Sequence, residues 1–485
     1  MFEADSRGRD LPSLHTGGHL TLTITDLFCG AGGSTTGLSY VPGMSVRVAS
    51  NHWPLAIDSH GANHPHTDHV CADISQIDPR RFPKTDILWG SPECTHHSQA
   101  SGKKRNHGSN PDENGEVLPD DAAERSRATM WDIPRFAERH EYRAIITENV
   151  VDAAKWVMFP AWLNAMDLLG YNHQIVYLNS MHAGAYGEPA PQSRDRMYVI
   201  FHRKGDLAPD VEKWTRPNAW CSGCGTIVAA VQSWKKPDQR WGRYKAQYVY
   251  QCPNAQCRAV VEPAWLPAAS AIDWTIPAER IGDRKLKEFK DKKTGQVTLS
   301  PLAPKTMQRI REGVEKFYGV PQLVPAGGTW HSNSYPVTDP MRTRLTREME
   351  GLLVPVEGRD GKQAQSASSP LRTQTARNET GLFVVPLRNH NTAKPITDPF
   401  DTFAAAGNHH GVAEAHSRAI EDCGFRMLQP HEISRGMAFP EGYTILGNKR
   451  EQVRQAGNAV TPPAARDLGC AVAEALGYEI GDIAA

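Results

Sequence analysis

"TDLFCGAGGSTTGL", Thr25 to Leu38, reads as a buried strand that breaks into glycines and then resumes with helical spacing. Gly30, Gly32 and Gly33 allow the backbone to turn sharply and a ligand to come close, and the helix start beyond them offers free amides. An ordinary tight strand-to-helix connection would look much the same. The stretch lacks the Gly-x-Gly-x-x-Gly spacing of dinucleotide sites and the lysine of phosphate loops, so it suits a nucleoside without a triphosphate. Working outward, strand-like runs alternate with helix-like ones from Leu20 to about Lys204. Strands are expected at Thr21–Phe28, Ser45–Ser50, Thr85–Trp89, Arg143–Glu148, Gln174–Leu178 and Met197–His202. Helices are expected at Gly32–Tyr40, Pro54–Asn63, Ala122–Arg139 and Val157–Leu169. That alternation predicts an α/β fold, a doubly wound parallel sheet with crossover helices that binds ligand at the carboxyl ends of its strands.

The chain has 485 residues, more than one ordinary core accommodates. Its 54 Lys and Arg balance 54 Asp and Glu, so contact with nucleic acid would need a local basic patch. Residues 1–19 read as a polar tail without a signal-peptide core, no run is long and apolar enough for a membrane span, and a cytoplasmic protein is expected. In a reducing compartment, clustered cysteines among the nine point to metal or catalysis.

After a catalytic domain at 20–205, the texture changes to proline, glycine, tryptophan and charge through 206–423. Within about 327–415, "YPVTDPMRT", "QSASSPLRT" and "AKPITDPFDT" repeat a Pro-x-x-Thr unit at Pro340, Pro370 and Pro399, and two units continue to "GLLVP" at Gly351 and "GLFVVP" at Gly381. Stacked hairpins fit this pattern. Residues 424–485 regain helical pattern, with Pro462 and Pro463 suited to a helix start.

Three further motifs follow strand-like runs. "GSPECTHHS" puts Cys94 just after a buried strand, as nucleophile, metal ligand or small core residue. "ITENV" ends a strand with Glu148, an acid or a clamp for a ring edge. "PQSRDRMYVIF" supplies Gln192, Arg194 and Arg196, whose alternation sets the two arginines on one side of a strand. Together with "RMLQPHEISRGMAFP" and "GNAV", these ordered segments resemble the DNA cytosine methyltransferases that modify carbon 5, over roughly residues 20–205 and 424–475.

The resemblance implies a Rossmann-like methyltransferase domain with an inserted, β-rich target-recognition domain. It implies a flipped-out cytosine in double-stranded DNA, methylated from S-adenosyl-L-methionine or a derivative of it. Cys94 would attack carbon 6, Glu148 would stabilise the ring nitrogen, and Arg194 and Arg196, with Gln192 beside them, would steady base and glutamate. The cofactor would be held by Phe28, Gly30, Gly32, Gly33, His52, Trp53, Asp73, Ile74, Pro92, Asn458 and Val460, with Trp53 on the adenine face. Two positions depart from the family: His52 stands where a ribose-binding glutamate is usual, and Glu93 replaces the middle proline of Pro-Pro-Cys. These bear on cofactor affinity and on whether the transferred group is a plain methyl.

In the middle region Cys221 and Cys224 form one close pair and Cys252 and Cys257 another, a set suited to structural Zn2+ in a ribbon at about 218–262. Between the pairs, Trp234, Trp241, Tyr244 and Tyr248 interleave with Lys235, Lys236, Arg240, Arg243 and Lys245. These suit DNA backbone contact and stacking, or equally one face of an amphipathic hairpin. Lys103, Lys104 and Arg105 resemble the loop that closes on DNA in this family. A monomer in a bacterial or phage-infected cell is expected, with a cognate restriction endonuclease as a further partner. The rival readings are a tRNA cytosine methyltransferase, an enzyme moving a larger group, and a silent DNA-binding relative.

Overall fold

The computed structural model describes residues 21–92, 128–291, 294–316 and 420–481, together with the backbone of short strands between 322 and 415. Glu93, Cys94, Lys103, Lys104, Arg105, Pro340, Pro370 and Pro399 lie outside the described residues. The strands of the first part are β1 (Leu22–Leu27), β2 (Met44–Asn51), β3 (Asp68–Cys71), β4 (Ile87–Gly90), β5 (Ala144–Val150), β6 (Tyr171–Asn179), β7 (Gln192–Ser193) and β8 (Asp195–Arg203). All but β7 join one sheet in the order β3-β2-β1-β4-β5-β8-β6. β1 to β5 pair in parallel, whereas β8 runs antiparallel to both β5 and β6. The sheet is therefore mixed, not wholly parallel as the alternation of elements suggested. The connection from β6 into β8 is irregular chain rather than a crossover helix, so β8 enters from the opposite end.

Side-chain alternation along the strands feeds two cores, one on each face. Ile87, Trp89, Ile146, Tyr198 and Ile200 join one apolar cluster. Leu88, Ile145, Met197, Val199 and Phe201 join the other. Helices α1 (Gly33–Ser39), α2 (Pro54–Asn63), α3 (Asp132–His140) and α4 (Phe159–Leu168) flank the sheet. The predicted Pro54–Asn63 helix has the observed bounds. Strand β3 was not anticipated: its sequence, "DHVC", is half exposed and carries no apolar alternation.

Two junctions depart from the expected boundaries. Strands β9 (Asn218–Cys221), β10 (Thr226–Ala229), β11 (Val231–Trp234), β12 (Tyr248–Gln251) and β13 (Val260–Val261) build the cysteine ribbon, and its Tyr248, Tyr250 and Cys252 belong to the same cluster as Trp162 and Phe201 of the catalytic sheet. The ribbon is thus part of the first body's core. At the other junction Cys423–Met427, expected mostly within the C-terminal segment, is a strand of the middle-region sheet and pairs antiparallel with Glu350–Val356. The repeat segments "GLLVP" and "GLFVVP" both lie in strands, Glu350–Val356 and Gly381–Pro386, paired antiparallel through Glu350 and Pro386. After α5 (Pro304–Lys316), the chain ends in α6 (Pro430–Gly436), α7 (Lys449–Asn458) and α8 (Pro462–Ala475). Helix α8 starts on the Pro462–Pro463 pair, and its residues Ala464 to Ala473 are buried against α1 and the sheet. No helix among the described residues is long and apolar enough to cross a membrane.

Candidate active site

Register sets the site on one edge. Leu27 lies opposite Ser50 and Gly90, Asn51 opposite Cys71, and Gly90 opposite Thr147. The residues that follow, Phe28–Gly33, His52–Trp53, Asp73–Ile74, Ser91–Pro92 and Glu148–Asn149, consequently share the carboxyl edge of the sheet, where such folds bind ligand.

The glycines of the first turn do different jobs. Phe28 and Gly30 both take left-handed φ values, 61° and 55°. For phenylalanine that is a strained conformation of the kind found at functional turns. An added Cβ at Gly30 would meet nothing within 4 Å. At Gly32 it would lie 2.5 Å from the Tyr443 hydroxyl, and at Gly33 1.9 Å from the Val460 carbonyl oxygen. Gly30 borders open space, while Gly32 and Gly33 admit the C-terminal segment. All three had been expected to admit a ligand; the close backbone approach at two of them is to protein.

Beneath the turn lies Asp26, fully buried, which accepts from Ser34 Oγ at 2.6 Å and Thr35 Oγ1 at 2.7 Å and so ties down the start of α1. Burial pushes its carboxyl up to about 7, against those two hydroxyls. Thr35 also meets His60 Nε2 at 2.9 Å, and His60 Nδ1 meets His69 Nε2 at 2.8 Å. A second chain joins Thr36 Oγ1 to His64 Nε2 at 3.0 Å and His64 to the Tyr443 hydroxyl at 3.2 Å; that hydroxyl donates to the Ala31 carbonyl at 2.6 Å. Nothing in the local sequence links these histidines to the glycine turn, because the partners come from α2, β3 and the segment after α6.

Of the remaining cofactor candidates, His52 and Asp73 are exposed, and Asp73 accepts from the Ser75 amide at 3.1 Å and Gln76 Nε2 at 2.8 Å. Ile74 is buried in the core, so its side chain faces away from the edge and only its backbone is available there. Trp53 carries the Arg454 guanidinium over its ring, 4.5 Å from the centroid. Arg454 belongs to α7, which also delivers Asn458, exposed at the helix end, and leads to Val460, buried against Gly33. Pro92 is buried, and its carbonyl faces Asn149 Nδ2 at 3.4 Å, which links the start of the cysteine-bearing segment to the "ENV" strand end.

Glu148 and Arg196 form the charged centre of the edge. Arg196 Nε donates to Glu148 Oε1 at 2.8 Å, and each side chain is 11% exposed. Antiparallel pairing makes this contact, because Val150 lies opposite Arg196 and brings the start of β8 beside the end of β5. Arg194 does not share the task. It is buried, and its Nη2 donates to the carbonyls of Gly457 at 3.2 Å and Ala459 at 3.0 Å. The alternation argument fails here because Arg194 precedes the regular part of β8, so its side chain does not follow the strand's pleat. Gln192 is buried in β7, which pairs in parallel with the middle-region strand Phe400–Asp401.

The four ribbon cysteines converge, their sulfurs all within 4.8 Å of one another. Cys221 and Cys257 are 3.5 Å apart, Cys224 and Cys252 3.7 Å. A tetrahedron with metal–sulfur bonds of about 2.3 Å has edges of about 3.8 Å, so the donor set fits zinc. Asn254 Nδ2 donates to Cys224 Sγ at 3.6 Å, and an added Cβ on Gly223 would come within 2.9 Å of Cys257 Sγ. The aromatic residues between the pairs do not form the DNA-facing surface that their spacing suggested. Tyr248 and Tyr250 are fully buried, Tyr244 packs edge-on to His182 at 4.6 Å, and Trp234 to Tyr177 at 5.4 Å. Arg243 is engaged by Asp152 at 2.5 Å and so is not available to phosphate. Lys235, Lys236 and Arg240 remain exposed.

The family model for C-5 cytosine-specific DNA methylase matches residues 22–229 and 283–474. Among curated relatives, the Type II methyltransferase M.SsoII of Shigella sonnei is 30% identical over 185 residues, 37% of this chain and 42% of that protein. Type II methyltransferase M.NlaX of Neisseria lactamica is 27% identical over 229 residues, 46% of this chain and 65% of that one. The match to M.SsoII therefore spans about two fifths of that relative's length. Among solved structures, the S. pombe Dnmt2 methyltransferase aligns over 94% of this chain and 100% of its own, with a TM-score of 0.45 and 12% identity.

Proposed function

The chain belongs to the family of C-5 cytosine-specific DNA methylases, and from that premise we propose that it methylates carbon 5 of a cytosine flipped out of double-stranded DNA. S-adenosyl-L-methionine would supply the methyl group as an electrophilic sulfonium. The observation that carries the reading is the Glu148–Arg196 pair, held at 2.8 Å at the same carboxyl edge of the sheet as the strained Phe28–Gly30 turn. Cys94, one residue beyond Glu93 and Pro92, is the nucleophile. Its thiolate adds to carbon 6 while a proton passes through the Glu148 carboxyl to the ring nitrogen between the exocyclic groups. The electron pair then available at carbon 5 would form the new carbon–carbon bond as the methyl–sulfur bond of the sulfonium breaks, its electron pair leaving on sulfur as a neutral thioether. Loss of the carbon-5 proton and expulsion of the thiolate restore the ring and the enzyme, and the ring-nitrogen proton returns to Glu148. Arg196 orients that carboxyl through its Nε–H, and Arg194 closes the pocket by holding the backbone on both sides of Asn458.

Phe28, Gly30, Trp53, Asp73 and the backbone of Ile74 line the cofactor side, with His52 in place of a bidentate carboxylate. Cys221, Cys224, Cys252 and Cys257 hold zinc, and Lys103, Lys104, Arg105, Lys235, Lys236 and Arg240 meet DNA phosphates. Incubation with a 5-fluorocytosine duplex and S-adenosyl-L-methionine is expected to give a covalent adduct, because fluorine cannot leave as the carbon-5 proton does. The adduct should be lost in Cys94→Ser, and Glu148→Gln should slow its formation by about 10²-fold or more. If no DNA yields an adduct, the assignment fails; an adduct formed on tRNA alone would move the substrate to RNA.

A further inference from the structure

Glu148 lies two residues before the end of β5 at Val150, where the chain passes into a 3-10 turn, Val151–Lys155, that carries Asp152, and Arg196 directly follows Asp195 at the start of β8. Both flanking carboxylates are held from the ribbon by consecutive residues. Arg243 Nη2 donates to Asp152 Oδ2 at 2.5 Å, and the Tyr244 amide donates to Asp195 Oδ1 at 3.0 Å. Lys155 adds a third tie, lying 3.3 Å from Asp152 and 4.1 Å over the Trp241 ring. Behind these contacts Tyr244 and Tyr250 close edge-on over His182, at 4.6 and 5.0 Å, inside the shared core.

We infer that the cysteine ribbon is a positioning device for the Glu148–Arg196 pair: Arg243 and Tyr244 are positioning residues that fix the ends of β5 and β8, and metal at the four cysteines keeps them there. The inference rests on the proposed catalytic role of that pair. Asp152 is buried, and losing the Arg243 guanidinium removes a short ion pair from a buried carboxylate, which favours moving that segment towards water. Asp195 is buried too; burial pushes its carboxyl up to about 6, while the Tyr244 amide and the Arg243 and Arg196 guanidiniums draw it back down. Asn179 also hydrogen-bonds Asp195 from within the sheet, and the ribbon adds a hold on each flank from outside it. A displacement of about 1 Å at a catalytic group is enough to cost on the order of 10²-fold in rate. Lys235, Lys236 and Arg240 of the ribbon stay exposed for phosphate contact, whereas the Arg243 side chain and the Tyr244 amide are engaged by Asp152 and Asp195.

The test uses the full chain with zinc bound, and the variants Arg243→Ala, Arg243→Lys and Asp152→Asn, with Asp238→Ala, at an exposed ribbon position, as control. Hydrogen exchange by mass spectrometry and single-turnover methylation are both read. In Arg243→Ala, exchange is expected to rise at residues 147–152 and 195–197, and the single-turnover rate at saturating DNA to fall at least tenfold. DNA affinity should change less than twofold and zinc content should stay the same, with Arg243→Lys recovering part of the rate. Asp152→Asn, which keeps the side chain's shape, should reproduce the exchange pattern. Faster exchange confined to 218–262, or an Arg243→Ala variant with normal turnover but weaker, less salt-dependent DNA binding, would overturn the proposal and return the ribbon to DNA contact. If the wild type transfers no methyl group, the catalytic reading fails, while the exchange pattern still decides whether the ribbon braces the strand ends.

Discussion

Arg454 covers one face of Trp53 with its guanidinium, and in the proposed cofactor site the indole packs against the purine. A cation–π contact at a partly exposed site contributes about 0.5–1 kcal/mol, mainly by holding the indole in one orientation. Arg454→Ala should therefore weaken cofactor binding by about two- to fivefold with little change in kcat, as measured by titration calorimetry. Asp26 carries a pH effect whose sign follows from its raised carboxyl. In the folded chain burial pushes it up to about 7, and in the unfolded chain it returns to the ordinary carboxylate range of about 4. Between those values the native state holds a proton that the unfolded chain has released, so stability falls as pH rises from about 4 to about 7. Asp26→Asn keeps an acceptor for Ser34 and Thr35 and removes the titration. Its stability relative to the wild type should increase by a few kcal/mol, to order of magnitude, between pH 5 and pH 8 in urea unfolding. An unchanged difference would mean that Asp26 is ionised throughout.

Helix α1 and the C-terminal segment meet as backbone against backbone, and two substitutions on neighbouring elements read that contact. Gly33→Ala puts a Cβ 1.9 Å from the Val460 carbonyl oxygen, so the segment must move, at a cost of about 3 kcal/mol or more. Gly30→Ala meets nothing and should cost only about 1 kcal/mol of left-handed strain. On the strand side, Arg194→Lys replaces a guanidinium that bridges two carbonyls with a single ammonium. A loss of about 1–3 kcal/mol in stability is expected, together with weaker cofactor binding, because Asn458 is freed. Equal effects of the Gly33 and Gly30 changes in chemical denaturation would remove the packing argument.

At the scale of the molecule, the ribbon and the catalytic sheet share one apolar cluster, so they should unfold together. Zinc removal is expected to lower the melting temperature of residues 21–261 as one calorimetric transition; a separate transition for the ribbon would show that the two cores are independent.

Short-range chemistry was legible in the chain by itself. The glycine turn after β1, the apolar strands, the Pro54–Asn63 helix, the close cysteine pairs and the strand-end Glu148 are all local patterns, because propensity, periodicity and spacing act within a few residues. Partnership was decided only by tertiary structure. Arg194 and Arg196 are two residues apart and look equivalent, yet antiparallel β8 aims one at Glu148 and leaves the other to hold Gly457 and Ala459. The basic, aromatic run of the ribbon has the composition of a DNA surface, yet buried carboxylates at Asp152 and Asp195 draw Arg243 and Tyr244 inward. The physical reason is the same in both cases. A charged or aromatic group in the chain carries no record of which distant charge or core will compete with water for it, and only the packed sheet settles that competition.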